Sequence, residues 1–438
     1  MILKRITRLA WTAALAAAFL GAAPAQAQLT VQITRGVADP IAVAIVPFGW
    51  SADGAAPYDV AATVAADLER SGRFNALPRT GMVEFPHSAA DVDAADWRLL
   101  KVDYVLVGAL LPLGEGRYEI RYELVNALTG QRLLGEALPA GGAALKLASH
   151  RVSDRVFEKI LGIPGAFATR VAYVSAQGPA ASRGYSLLVA DADGANSRIV
   201  LQSDQPIMSP AWSPDGRFLA YVSFEGGASS IWVQELATGQ RVRVSARSGI
   251  NGAPAFSPDG RQLALALSRR DGNVDVYLLE LASQQLTRLT ESPAIDTEPA
   301  WSPDGKQVYF TSDRGGAPQV YRIGARPGAK AERLTFEGSY NARPRISPDG
   351  KTLAVVTLDR GAYRIAAVEL GQRGSRVLTD GRLDESPSFA PNGAMLIYAT
   401  REGGRGVLAT VSLDGGVQQR LAGGEGDIRE PAWSPYLL

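Results

Sequence analysis

The sequence contains no cysteine and only two histidines among its 438 residues. Without cysteine the chain cannot form disulfides, use a thiolate nucleophile or carry a lipid on a cysteine that follows a signal sequence. Both histidines, His87 and His150, precede residue 166, so the remainder of the chain offers no imidazole for acid–base catalysis. These shortages argue against most hydrolytic enzymes.

Sequence motifs of common enzyme classes are missing as well. The chain has no G-x-S-x-G elbow, no H-E-x-x-H metal motif, no phosphate-binding loop and no dinucleotide fingerprint. His150 and Asp154 lie four residues apart on a predicted helix, and we expect them to form a local structural pair. A catalytic pair of carboxylates stays open, although no spacing selects one. We therefore predict a protein that is not an enzyme and that needs no cofactor or metal ion.

Long apolar runs are also scarce, and the main one lies at the start of the chain. Three basic residues precede an apolar stretch from Leu9 to Leu20, and the small residues Ala25 and Ala27 follow it. This order is typical of a Sec-type signal peptide cut after Ala27, and it predicts a periplasmic protein without membrane insertion. The 45 basic and 44 acidic residues nearly balance, which argues against nucleic acid as a partner.

The phrase P-x-aromatic-S-P-D-G recurs through the second part of the chain. Its copies, some of them weakened and the last one clipped, begin at Pro210, Pro254, Pro299, Pro344, Pro387 and Pro431. The second prolines, at 214, 258, 303, 348, 391 and 435, are 43 to 45 residues apart. A period of this length with several short strands per repeat predicts the blades of a β-propeller.

Each phrase has the chemistry of a tight turn. Proline presets φ, Asp or Asn bonds to its own backbone, and Gly takes a positive φ. The aspartates could instead be read as metal ligands, but we interpret them as turn formers. The aromatic residue two positions after the first proline, such as Trp212 or Trp301, is expected to pack as a wedge between blades.

The region before the repeats reads as a mixed α/β domain. Apolar strands are predicted at 41–48 and 102–108, helices at 60–70, 91–101 and 143–161, and a hairpin at 118–138. The interpretation is therefore a signal peptide at 1–27, an α/β domain at 28–165 that begins with an arm at 28–36, and a propeller at 166–438.

The number of blades follows from how the ring closes. Residues 170–201 hold three strands and lack an innermost one, whereas the clipped copy at 430–435 is an innermost strand without a blade. An open ring would leave two unpaired sheet edges. We therefore predict that 430–435 completes the first blade and closes a six-bladed propeller.

The segments just before each phrase vary while the turns stay alike. In a propeller these segments enter the innermost strands, so all six converge on one mouth of the central channel. Such a pattern is expected if the turns fold the blade and the mouth binds a partner. Ordinary solvated loops are the alternative.

The chain resembles the TolB family of periplasmic propellers. The resemblance is carried by the repeated phrase, by Val43-Ala-Ile-Val-Pro-Phe48, by the segment from His150 to Gly162, by Gly165-Ala-Phe167 and by Pro431-Ala-Trp-Ser-Pro-Tyr436. It covers nearly the whole chain after residue 27. It implies a monomeric interaction protein of the Tol–Pal system that supports outer-membrane integrity and envelope constriction at cell division.

The resemblance also implies two binding surfaces. The channel mouth would bind Pal, the peptidoglycan-associated lipoprotein, through Met208, Ser209, Asn251, Gly252, Ala253, Thr297, Glu298, Glu385 and Ser386. The arm, whose apolar residues alternate, would bind TolA through Leu29, Val31, Ile33 and Arg35 as an added edge strand. Ile250, Arg343 and Arg35 depart from the family pattern. Further partners would be other outer-membrane proteins and bacteriocins that exploit the system. The alternative is a periplasmic propeller hydrolase or a sugar-binding lectin that uses the same channel.

Overall fold

The computed structural model describes residues 30–35, 39–179, 182–268, 272–422 and 426–437, and for 30–35 it describes the backbone alone. The predicted signal peptide and the arm residue Leu29 lie outside these ranges. Within them, no helix combines the length and the apolar character that a membrane crossing requires.

The first part of the chain forms a mixed sheet covered by helices. Strand order in this sheet is β4-β2-β5-β6-β7, with β3 beside β5. The strands are β2 (Ile41–Ile45), β3 (Gly49–Trp50), β4 (Phe74–Ala76), β5 (Tyr104–Gly114), β6 (Arg117–Asn126) and β7 (Arg132–Gly141). The helices are α1 (Val60–Arg70), α2 (Ala94–Leu99) and α3 (Leu145–Leu161). Apolar residues of α1 and α3 pack on one face of the sheet, and Trp97 of α2 packs on the other.

Local sequence explains the limits of the two long helices. The Asp59 carboxylate accepts a hydrogen bond from the N–H of Ala62 at 2.9 Å and so caps the start of α1. Helix α3 ends at Gly162, whose φ of 71° is left-handed and suits glycine. The predicted helix at 60–70 and the predicted hairpin are both present.

The second part of the chain forms six antiparallel sheets, the blades of a propeller. Blade 1 contains β8 (Arg170–Gln177), β9 (Gly184–Asp191), β10 (Arg198–Ser203) and β31 (Asp427–Trp433). Blade 2 contains β11 (Ile207–Trp212), β12 (Phe218–Ser223), β13 (Ser230–Glu235) and β14 (Arg241–Ser245). Blade 3 contains β15 (Asn251–Phe256), β16 (Gln262–Ser268), β17 (Val274–Glu280) and β18 (Leu286–Arg288).

Blades 4 to 6 repeat this pattern. Blade 4 contains β19 (Asp296–Trp301), β20 (Gln307–Ser312), β21 (Gln319–Gly324) and β22 (Glu332–Arg333). Blade 5 contains β23 (Asn341–Ile346), β24 (Thr352–Asp359), β25 (Ala362–Glu369) and β26 (Arg376–Val377). Blade 6 contains β27 (Glu385–Phe389), β28 (Met395–Glu402), β29 (Arg405–Ser412) and β30 (Gln418–Ala422).

The C-terminal strand closes the ring as predicted. Strand β31 pairs antiparallel with β8, and the order in blade 1 is β10-β9-β8-β31. Blade 1 is therefore built from both ends of the propeller sequence. The closing strand begins at Asp427, three residues earlier than the sequence indicates.

The aspartates of the repeated phrase form turns. In blade 2 the Asp215 carboxylate accepts hydrogen bonds from the Ser213 hydroxyl at 2.6 Å and from the N–H of Arg217 at 3.0 Å. Gly216 follows with a φ of 70°. The same bonds recur at Asp259, Asp304 and Asp349. The turn interpretation of these residues is confirmed.

Tryptophan wedges join neighbouring blades through hydrogen bonds as well as packing. The indole N–H of Trp212 in blade 2 donates to the carbonyl of Ala432 in blade 1 at 2.9 Å. The indole N–H of Trp301 in blade 4 donates to the carbonyl of Ala255 in blade 3 at 3.1 Å. Both side chains are buried, so each wedge satisfies its only polar atom inside the core.

The expected pair between His150 and Asp154 does not form. His150 Nδ1 lies 2.7 Å from Asp67 Oδ2 on the neighbouring helix α1. The Asp154 carboxylate instead accepts the backbone N–H groups of Phe167 and Ala168, at 2.7 and 3.2 Å, and so fixes the link between the two parts. Burial raises the pKa of Asp154 to about 7. Packing against helix α1 therefore decides the partner of His150, and the fold of the segment after α3 decides the partners of Asp154.

Candidate partner-binding surfaces

The innermost strands share an irregularity at the same position. Each contains a register shift with its neighbour just before the first proline of the phrase. The residue there has a left-handed φ between 47° and 55° in all six blades, although none is glycine: Ser209, Ala253, Glu298, Arg343, Ser386 and Glu430. Non-glycine residues rarely adopt this conformation, and such strain tends to occur at functional sites. The bulges therefore form a six-membered ring around the channel.

Arg343 links four members of this ring. Its Nε donates to Glu298 Oε1 at 2.6 Å, and its backbone N–H donates to Glu298 Oε2 at 2.9 Å. Its terminal nitrogens donate to the Ser386 hydroxyl and to Glu430 Oε1, the latter at 3.2 Å. Burial by itself lowers the pKa of Arg343, but the Glu430 and Glu298 carboxylates outweigh it and raise that pKa. The guanidinium thus crosslinks blades 4, 5, 6 and 1 across the channel.

The S-P-D-G turns lie at one end of the channel, which we call the turn end. This end holds a separate cavity of about 370 Å³. Its lining includes Trp212, Trp301, Trp433 and Arg345, together with prolines of the repeated phrase. Burial and the charge of Arg343 lower the pKa of Arg345. Since the innermost strands run from the variable segments to these turns, the cavity and the predicted mouth lie at opposite ends of the channel.

The α/β part of the chain sits at the turn end. The Asn392 side-chain amide donates to the carbonyl of Pro164 at 2.9 Å, and Arg73 forms an ion pair with Asp414 at 2.7 Å. Asn392 and Asp414 belong to turns of blade 6, on the same side as the S-P-D-G turns. The predicted mouth therefore lies on the face away from this part of the chain.

The predicted Pal-facing residues have different environments. Met208 is 40% exposed, whereas Asn251 and Ser386 are buried. Asn251 accepts the Ser245 hydroxyl and the N–H of Arg247 and donates to the carbonyl of Arg247, so it organises its own loop. The Glu298 carboxylate accepts hydrogen bonds from Arg343. Ser209, Gly252, Ala253, Thr297 and Glu385 are partly exposed.

Exposed apolar side chains mark the same face, and sequence reasoning missed two of them. Ile250 and Ile295 are each 50% exposed, and Phe336 is 72% exposed. They belong to the segments that enter the innermost strands of blades 3, 4 and 5. Met208 holds a similar position in blade 2. In the sequence Ile250 stands out only as a departure from the family pattern, and Ile295 and Phe336 lie outside the predicted site. The signal that could have found them is an apolar residue inside a polar connection.

The N-terminal arm is docked as a strand. Residues Thr30–Arg35 form β1, which pairs antiparallel with β30 and adds a fifth strand to blade 6. The predicted TolA-facing residues Val31, Ile33 and Arg35 lie on this strand, with backbone partners Leu421, Gln419 and Gln418. Among the described residues, blade 6 alone has its outer edge covered in this way.

Two family profiles match the chain. The profile described as TolB amino-terminal domain covers residues 29–133, and the one described as TolB beta propeller domain covers residues 157–437. The chain belongs to the TolB family. The resemblance that the sequence suggested is thereby confirmed.

Individual relatives agree with this assignment. Proteins named Tol-Pal system protein TolB from Xanthomonas euvesicatoria pv. vesicatoria and Xanthomonas campestris pv. campestris are 51% identical over 248 residues. These matches span 56% of this chain and only 56% of each TolB relative. The crystal structure of TolB from Acinetobacter baumannii is 40% identical with a TM-score of 0.85, and the match covers 93% of this chain and all of that one.

Proposed function

We propose that this chain is a periplasmic, non-enzymatic interaction protein of the Tol–Pal system. Its channel mouth binds Pal, and its N-terminal arm binds TolA. Through these contacts it supports outer-membrane integrity and envelope constriction at cell division. The observation that carries the proposal is the set of exposed apolar side chains on adjacent blades around one channel mouth. Large exposed apolar side chains that share one face of a protein are typical of a protein-binding site.

The charges inside the channel support binding over catalysis. A hydrolase would need a free nucleophile or base, yet the Glu298 and Glu430 carboxylates are both bonded to Arg343. We therefore place the partner on the rim of the mouth rather than deep in the channel.

The rim of the mouth, represented by Met208 and Ile250, can be tested with charge substitutions. We expect Met208→Glu combined with Ile250→Glu to weaken Pal binding at least tenfold, about 1.4 kcal/mol, because two carboxylates would have to be desolvated in an apolar contact. The melting temperature should change little, since Met208 is 40% and Ile250 50% exposed and neither belongs to the core. Isothermal titration calorimetry with the soluble part of Pal measures the effect.

A matched control is available within blade 2. Val242 is 65% exposed on the outer strand β14, far from the mouth, so Val242→Glu should bind Pal normally. Unchanged affinity in the rim variant would remove the rim from the Pal site. Binding of an oligosaccharide at the mouth, or turnover of one, would favour the lectin or hydrolase alternative.

We infer that the arm exchanges between the docked strand and a free state that pairs with TolA. In the docked state the arm's backbone is paired with β30 and is not available as an edge for a partner strand. TolA must therefore compete with β30. If Pal binding favours the docked state, Pal weakens TolA binding, and TolA weakens Pal binding by the same factor.

The sharpest test locks the arm in place. Gln32 and Arg420 are register partners across β1 and β30, and the chain contains no other cysteine to interfere. We expect Gln32→Cys with Arg420→Cys to lose TolA binding when oxidised and to regain it on reduction. Deletion of residues 28–36 should abolish TolA binding and leave Pal binding intact. Equal TolA affinities of the oxidised and reduced forms would show that the docked arm does not compete with TolA.

A further inference from the structure

A cluster of polar side chains lies where helix α3 meets blade 1. His150 of α3 is only 2% exposed, and its Nε2 lies 3.7 Å from Asp193 Oδ2. Asp193 and Asp191 belong to the end of β9 and the turn after it. Single ligand atoms of His150, Asp191 and Asp193 all lie within 4.8 Å of one another. The cluster joins the α/β part of the chain to the propeller.

Asp67 of helix α1 holds the other ring nitrogen of His150. Asp67 Oδ2 lies 2.7 Å from His150 Nδ1 and also accepts the Ser153 hydroxyl at 2.6 Å. Asp67 forms an ion pair with Arg70 as well. Because Nδ1 is bonded to Asp67, Nε2 is the ring nitrogen that faces Asp193.

The Nε2 atom has no suitable partner among the described residues. It is buried and makes no hydrogen bond to any of them. The Asp193 carboxylate oxygen lies 3.7 Å away, beyond hydrogen-bond distance. A buried ring nitrogen without a hydrogen-bond partner, set beside two carboxylates, offers the kind of ligand atoms that a metal ion binds.

We propose that His150, Asp191 and Asp193 form a binding site for a divalent cation, with Zn²⁺ as the preferred ion. Zn²⁺ binds imidazole nitrogen and carboxylate oxygen at about 2 Å, which puts two ligand atoms of a tetrahedral ion about 3.3 Å apart. The separation between Nε2 and Asp193 Oδ2 needs to close by only a few tenths of an ångström. Mg²⁺ and Ca²⁺ prefer oxygen ligands, so the imidazole selects against them.

The surroundings of His150 match those of known metal-binding histidines. Such residues almost always donate their second ring N–H to a carboxylate or a carbonyl, which orients the ring. Asp67 is fully buried and occupies that position. The aspartates are held as well, since Asp193 accepts the N–H of Ala195 at 2.9 Å and Asp191 accepts the Asn196 amide at 2.7 Å.

Lys146 currently supplies positive charge at this site. Its Nζ lies 2.9 Å from Asp193 Oδ2 and 3.9 Å from Asp191 Oδ2. The side chain is 25% exposed and sits in the first turn of α3, so it can turn towards solvent when an ion binds. The ammonium and the metal ion compete for the same carboxylates. A bound ion would fasten α3 to blade 1 more tightly than the ammonium does.

The test uses the untagged chain after residue 27 and ZnCl₂. We expect calorimetry to show one Zn²⁺ bound per chain and Zn²⁺ to raise the melting temperature. Asp193→Asn and His150→Gln should each weaken binding at least tenfold, whereas Lys146→Met should strengthen it by removing the competing charge. Lys146→Met changes none of the proposed ligands, so it tests the proposal even if Asp193→Asn or His150→Gln folds poorly.

Asp414→Asn is the matched control. Asp414 also lies in a blade turn and pairs with a basic residue of the α/β part, Arg73, but it has no histidine beside it. Its substitution should leave Zn²⁺ binding unchanged. Nitrogen-15 spectra of the two histidines add a direct readout, because Zn²⁺ should shift Nε2 of His150 and not His87. Zn²⁺ binding that survives Asp193→Asn, or an imidazolium at His150 that ignores Zn²⁺, would overturn the proposal.

Discussion

Deletion of residues 427–438 is expected to destabilise the whole propeller and not only its first blade. The deletion removes β31, leaves β8 as an unpaired edge and takes away the carbonyl of Ala432 that accepts the Trp212 indole. We expect the loss to exceed about 5 kcal/mol, the upper range for truncation of one buried aromatic side chain. The melting temperature should fall by more than about 10 °C, and unfolding should become less cooperative in calorimetry.

Two further variants distinguish the effect of opening the ring from the effect of losing any single strand. Deletion of residues 28–36 removes β1, a strand that also pairs with a single neighbour, yet the ring stays closed. Its melting temperature should stay near that of the parent. Trp301→Ala removes one wedge and should cost about 3–5 kcal/mol. A truncated chain that melts like the arm deletion would show that β31 does not close the ring.

Removal of the Arg343 guanidinium is expected to have the second largest effect. Arg343→Ala leaves Glu298 and Glu430 in the channel without their common counter-charge. Removal of one partner from a fully buried ion pair typically costs about 3–5 kcal/mol, because the remaining charge is not compensated. These side chains are 15–22% exposed, so we expect a loss near the lower end of that range. Denaturant unfolding measures the loss.

The control for Arg343 is another arginine of the propeller. Arg322 pairs with Glu332 at 2.8 Å on the outer strands of blade 4, where the two side chains are 34% and 61% exposed. Arg322→Ala should therefore cost at most about 1 kcal/mol. Replacement of the whole cluster by Arg343→Met, Glu298→Gln and Glu430→Gln should restore much of the stability, because no charge is left alone. Equal losses for Arg343→Ala and Arg322→Ala would contradict the crosslink.

Local chemistry made much of the fold predictable. The S-P-D-G phrase specifies a turn through residues that touch one another, such as Ser213 and Asp215, so its recurrence is readable as a series of blades. The count of strands then requires the C-terminal segment to complete blade 1, which the pairing of β31 with β8 confirms. Helix α1 was equally predictable because its cap and its apolar face are local.

Contacts between distant parts of the chain could not be predicted in the same way. Arg343 reaches Glu298, 45 residues away, and Glu430, 87 residues away, because the closed ring brings the same position of every blade to the channel. Asn251, a residue of the predicted Pal site, is buried and bonds to Ser245 and Arg247 of the preceding segment, which its own position in the sequence does not reveal. His150 bonds to Asp67, 83 residues distant, rather than to Asp154 on its own helix.

The sequence by itself therefore determined the six blades, their turns, their closure and the family, since these depend on neighbouring residues and on a fixed period. Only the tertiary structure decided which side chains meet across the channel, which mouth residues are exposed and what His150 faces. The physical reason is that side-chain partners depend on the relative position of packed elements. Ring closure and helix docking set that position, and spacing along the chain does not record it.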